Sequence, residues 1–136
     1  MTTIVVRSLF GAAAAAPALV LDEPLSLWGG LDAATGRITD VHHPQHGERI
    51  TDQIVFMATG RGSSSASSVL AEAARLGTAP AGFVLSAPDE IIVLGALVAD
   101  ELYGIEIPVV VADPTATSSV ESGDAVAIHS ATLTIG

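Results

Sequence analysis

Between residues 54 and 112 short apolar runs alternate with helical runs, and this alternation limits the folds open to the chain. Ile54-Val55-Phe56-Met57-Ala58 is apolar and partly β-branched, which predicts a buried strand. Residues 69–77 carry helical spacing and stop at Gly77, which predicts a helix closed by glycine. Residues 81–86 predict another buried strand, residues 89–103 a helix opened by Pro88 or Asp89 and ended at Gly104, and residues 105–112 a further strand. Strand–helix–strand–helix–strand predicts parallel strands joined by right-handed crossovers. The flanks read differently. Residues 2–10 predict a first strand stopped at Gly11, residues 18–21 a second, and residues 37–41 a short further strand. Alanines 12–16 are too few to stand alone as a helix and are expected as a short loop or turn before Pro17. Residues 125–129 and 131–135 predict a strand pair around Ser130, after a turn at Ser122-Gly123-Asp124. With the first strands they make a second, mainly antiparallel layer. The expectation is an α/β protein with a parallel central sheet, in one domain over residues 1–136.

A glycine-flanked serine cluster, Thr59-Gly60-Arg61-Gly62-Ser63-Ser64-Ser65-Ala66-Ser67-Ser68, sits where the first of these buried strands turns into a helix. Free backbone N–H groups and the positive end of the helix dipole gather at such a place, which suits an anion or a developing alkoxide. Gly60 and Gly62 permit unusual backbone angles and close approach to a ligand. A single serine cap explains one hydroxyl at a helix start, for about 1 kcal/mol. Five serines within six positions exceed that need. The cluster is no phosphate-binding loop, because no lysine follows the glycines, and it does not read Gly-x-Ser-x-Gly. A capping role and an anion or substrate site both stay open.

Composition narrows the chemistry. The net charge is −10, and Arg7, Arg37, Arg49, Arg61 and Arg75 supply all the formal cations. An acidic chain of this kind is a poor partner for nucleic acid or anionic membranes. Without lysine there is no Schiff-base chemistry, and without cysteine there is no disulfide, thiol nucleophile or iron–sulfur cluster held by the chain's own thiolates. No apolar run approaches the ~20 residues needed to span a bilayer, and no signal peptide is evident, so a cytoplasmic protein is expected. Two loops stand out. Residues 22–30 place Trp28 before Gly29-Gly30, as a packed loop or a ligand contact, with packing the favoured reading. Residues 42–48 bring His42, His43, His46 and Glu48 together. Pro44 breaks any helix that would align His43 and His46, and no matching ligand pair follows, so a polar loop is favoured over a metal site.

Three stretches resemble the small subunit, or swivelling domain, of the aconitase X family. They are Asp22-Glu23-Pro24-Leu25-Ser26-Leu27-Trp28-Gly29-Gly30, His43-Pro44-Gln45-His46-Gly47-Glu48, and Gly60-Arg61-Gly62-Ser63-Ser64-Ser65 with Val69-Leu70-Ala71-Glu72. Leu76-Gly77-Thr78-Ala79-Pro80 and Ile107-Pro108-Val109-Val110-Val111 fit as well, and only the tail beyond Ala112 carries little of the pattern. The resemblance implies a three-layer β/β/α swivelling domain and membership of the aconitase superfamily of hydro-lyases. In that superfamily a Gly-x-Gly-Ser-Ser turn brings the catalytic serine to the substrate, which puts Ser63 in the place of the proton-abstracting serine. Aconitases proper continue with arginine and glutamate. Here Ser65-Ala66 follow, so the carboxylate-binding arginine is missing at that place. Arg61, or backbone N–H groups of Ser64 and Ser65 beside Gly62, are the expected substitutes.

The resemblance also implies a division of labour. The metal centre, iron or an iron–sulfur cluster, belongs to a large subunit; none is expected on this chain, which should be inactive alone. The substrate is a small hydroxy acid, either cis-3-hydroxy-L-proline or 5-phosphomevalonate, with the former favoured by the alanine-rich, lysine-free composition. A non-catalytic module that binds a small anion or only supports a partner is the reading from a different class.

Overall fold

The computed structural model of the chain describes residues 1–61 and 63–136. Its strands are β1 (Thr2–Val5), β2 (Arg7–Phe10), β3 (Ala13–Val20), β4 (Leu31–Asp32), β5 (Arg37–Ile38), β6 (Ile54–Met57), β7 (Gly82–Leu85), β8 (Val109–Val111), β9 (Ala125–His129) and β10 (Thr132–Ile135). The helices are α1 (Leu27–Gly30), a single broken turn, α2 (Ala66–Leu76) and α3 (Glu90–Tyr103). β3, β6, β7 and β8 lie side by side and parallel, as the alternating pattern predicts. β1, β10, β9 and the first part of β3 form the antiparallel layer. The helices end at Gly77 and Gly104, both in the left-handed conformation that favours glycine.

Side-chain alternation in the parallel strands explains the three layers. Ile54, Phe56, Val84 and Val110 face one core with Val126, Ile128 and Leu133 of the antiparallel strands. Val55, Met57, Phe83, Leu85 and Val109 face the other, against Leu70, Ala73, Ile92 and Ala96 of α2 and α3. β6 and β7 are buried at every residue, so their sequences read as continuous apolar runs. The small alanines of α2 and α3 let both helices lie close to the sheet.

Four expectations are corrected. Residues 2–10 are two strands, not one: β1 pairs with β10 and β2 with β8, with buried Val6 between them donating its N–H to Ala131 O at 2.8 Å. The eight-stranded order thus starts and ends on neighbouring segments, and the sheet is barrel-like around the first core. The alanine run is not a loop. It is the first half of β3, antiparallel to β9, with burial alternating along it. Partner pairing overrides alanine's helix preference here. Pro17, which cannot donate to a ladder, stands where β3 exchanges β9 for β6 as its partner. Residues 37–41 yield only Arg37–Ile38 as strand, because Asp40 opens a turn, accepting the His42 N–H on Oδ1 at 2.9 Å and the His43 N–H on its carbonyl at 3.1 Å. Residues 105–112 yield only Val109–Val111, since Pro108 lacks the donor that would extend the ladder.

Candidate functional site

The motif loops meet at the ends of β3 and β6. After β3, residues 22–30 run beside the serine turn: Leu25 bridges Gly60, and Arg61 N–H donates to Leu25 O at 3.2 Å. The histidine loop closes on the same segment. Gln45 and Asp22 exchange two hydrogen bonds, at 2.8 and 3.0 Å. His43 is 5% exposed; its Nδ1 accepts the Gln45 N–H at 3.0 Å, which leaves Nε2–H to donate to Glu23 O at 3.0 Å. Three stretches separated in sequence therefore form one wall.

At the centre of that wall is a small open cleft of about 60 Å³, lined in part by Leu25, Leu27 and Ile92 from the core and by Gly60, Arg61, Ser63 and Asp89. That is room for a few water molecules rather than for a whole substrate. Ser63 is exposed, and its Oγ accepts the Ser65 N–H at 2.9 Å. Ser65 stands at the N-cap of α2 but makes no side-chain cap bond. Ser64, also exposed, offers its carbonyl to Ser67 Oγ at 2.9 Å. Ser63 Oγ thus bonds the N–H of the N-cap residue itself, while the next N–H groups, of Ala66 and Ser67, go to the Ser63 and Ser64 carbonyls at 3.0 and 3.3 Å. The same bond serves a structural serine or an activated one: an N–H donor at the positive end of a helix lowers the cost of negative charge on Oγ.

Arg61 reaches Glu23 at 3.9 Å, with both side chains about half exposed. Such a pair is weak and leaves the guanidinium available to an anion. Gly62, expected to line the substrate site, lies outside the described residues. Gly60 has no unusual backbone angle. What it needs is space, because a Cβ there would stand 2.6 Å from Asp89 Oδ2. Asp89 is the residue that sequence reading placed only at a helix start. Its Oδ1 accepts the N–H groups of Ile91 and Ile92 at 3.0 and 3.2 Å, and its Oδ2 accepts the Gly60 N–H at 2.9 Å.

Trp28 is not packed: it is 58% exposed, which overturns the favoured reading of its loop. Ser26 Oγ donates to Trp28 O at 2.8 Å, so the backbone beneath the indole is held. The residues of this chain do not fit an iron centre. There is no cysteine, the ring nitrogens of His43 both contact backbone, and among the described residues no three His, Asp or Glu side chains converge. Among the described residues no helix is long and apolar enough to cross a membrane.

Comparison with known proteins accounts for the convergence of these motifs. The family profile for the aconitase X swivel domain matches residues 3–135. A cis-3-hydroxy-L-proline dehydratase of Pseudomonas aeruginosa is 42% identical over 106 residues, which are 78% of this chain and 18% of that protein. The chain therefore spans only a small part of the hydroxyproline dehydratase it matches. A phosphomevalonate dehydratase small subunit of Thermococcus sibiricus is 34% identical over 122 residues, 90% of this chain and 88% of that one. The crystal structure of Thermococcus kodakaraensis aconitase X in its holo-form superposes with a TM-score of 0.88 at 27% identity, over 100% of this chain and 99% of that one. A profile match across nearly the whole length, together with the shared three-layer fold, places the chain in the aconitase X swivel domain family.

Proposed function

We propose that this chain is the swivelling part of an aconitase-X-type dehydratase, and that Ser63 is its proton acceptor. The observation that carries the reading is the Ser63 Oγ, exposed at the cleft and accepting the Ser65 N–H at 2.9 Å at the start of α2. Elimination of water takes a weakly acidic C–H proton, and a serine hydroxyl is too weak a base unless its alkoxide is stabilised. The Ser65 N–H and the dipole of α2 supply that stabilisation. Ser65 N–H, expected at the substrate carboxylate, is used within the turn, so Arg61 binds the carboxylate with the backbone of Ser64 beside it. The cleft is half a site. A large subunit of the aconitase X type supplies the other wall and the iron centre, a division supported by the membership of this chain in the swivel domain family.

The favoured substrate is cis-3-hydroxy-L-proline, supported by the 42% identity to the Pseudomonas aeruginosa dehydratase. The second reading is a phosphomevalonate dehydratase small subunit, favoured by the end-to-end match to the Thermococcus sibiricus chain. Mixing this chain with its large subunit and offering each substrate separates the two. The expected result is loss of water from cis-3-hydroxy-L-proline by the mixture and no turnover by this chain alone. Turnover of 5-phosphomevalonate would select the second reading. Turnover by the isolated chain would overturn the two-part enzyme, and an inactive but stable mixture would leave a non-catalytic supporting module.

A further inference from the structure

The geometry assigns Asp89 as the positioning residue of the serine turn: its carboxylate pins the Gly60 N–H to the start of α3 and thereby fixes where Ser63 stands in the cleft. The inference rests on Ser63 as the proton acceptor. A helix cap uses one oxygen, and Oδ1 alone meets that need by accepting from Ile91 and Ile92 at 3.0 and 3.2 Å. Oδ2 is not needed for the cap. It reaches 29 residues back along the chain to the Gly60 N–H at 2.9 Å. Asparagine or serine would cap as well as aspartate, so the second oxygen is what calls for a carboxylate.

Gly60 is fitted to that contact. With any Cβ it would meet Oδ2 at 2.6 Å, and Oδ2 cannot withdraw while Oδ1 holds two helix N–H groups. The turn is then fixed at two successive peptides: Gly60 on Asp89, and Arg61 on Leu25 O at 3.2 Å. The first anchor caps a 14-residue helix packed on the sheet and on α2, so Gly60 is tied to the core. Both carboxylate oxygens are engaged by backbone N–H donors, so Asp89 is held in place between the start of α3 and the serine turn. Its effect on catalysis passes through Ser63, and a small displacement of a reacting group can cost up to about 100-fold in rate.

The test uses the assembled enzyme with Asp89→Asn and Asp89→Ser. Either variant keeps an oxygen for the cap and loses the acceptor for Gly60. The expected result is a kcat lower by about 10-fold to 100-fold with KM within a few-fold, because the change misplaces the reacting group. Thermal stability should stay close to the parent, and amide hydrogen exchange of the peptide containing Gly60 should accelerate. In a Ser63→Ala background, Asp89→Asn should cost nothing further, since two residues acting as one unit are not additive. Parent-like kcat in both Asp89 variants, or an undiminished Asp89→Asn loss in the Ser63→Ala background, overturns the positioning role alone. A Ser63→Ala enzyme within a few-fold of the parent overturns the serine reading itself and the positioning role with it. If a variant is less stable, kcat per folded, assembled enzyme decides in the same way.

Discussion

Single residues at this site are specified by what stands next to them in space, and two of them show how far sequence can reach. Ser63 is legible because a strand, a glycine-bracketed turn and a helix follow one another without a gap, so local rules place it at a helix start. The tie between Asp89 and Gly60 is not legible, because nothing local links positions 29 residues apart. Trp28 misleads for a related reason. A large aromatic between polar and glycine residues usually packs, yet here Leu25 and Leu27 take the buried places of the loop and the indole is left 58% exposed. As the only tryptophan, it reports on itself. Its fluorescence should peak at the long wavelength of a water-exposed indole and be quenched readily by acrylamide. A blue-shifted, protected emission from the isolated chain would contradict the exposed placement.

At the scale of elements, the parallel unit is the part that sequence describes well. Its strands are continuous apolar runs and its helices carry local stop signals at Gly77 and Gly104. The alanine strand escapes, because alanine's methyl group carries no strand signal and only the ladder to β9 makes it one. The histidine loop shows its role only once packed. His43 joins residues 42–48 to Glu23 and offers its other nitrogen to the Gln45 N–H. His43→Ala should therefore destabilise the chain by about 1–3 kcal/mol through unsatisfied backbone groups, read from urea unfolding. Neither His43→Ala nor His46→Ala should change the iron content of the assembled enzyme. A matching loss of iron from either variant would make the loop a ligand site.

The helix pair sets a second expectation at this scale. Gly95 of α3 lies against α2, where an added Cβ would meet Leu70 side-chain atoms at 3.0 Å and Ser67 O at 3.1 Å. Gly95→Leu should destabilise by about 1–3 kcal/mol, the range for overpacking. Because Ser67 belongs to the first turn of α2, the push should reach the serine cluster and lower turnover as well. Unchanged stability would mean that the helices are not packed at this distance.

For the whole molecule, the barrel-like sheet and the outer helices hold the motif loops together at the ends of β3 and β6. The two strands at the ends of the order, β1 and β2, are four residues each, so the sheet's edges are short. The cleft of about 60 Å³ fits half a site, which agrees with a domain presenting a serine to a larger body. Acidic overall charge helps solubility and takes no part in this mechanism. The most direct measurement compares Ser63→Ala with Ser67→Ala, as equal amounts of folded, assembled enzyme turning over substrate. Ser67 gives up a bond to Ser64 O in the same helical turn but does not line the cleft, so it controls for local disturbance. The account predicts that Ser63→Ala loses at least about 100-fold in turnover, the low end for a missing acid–base group, while Ser67→Ala stays near the parent and both still assemble. A Ser63→Ala enzyme within a few-fold of the parent would contradict it and return the serine cluster to the capping of α2.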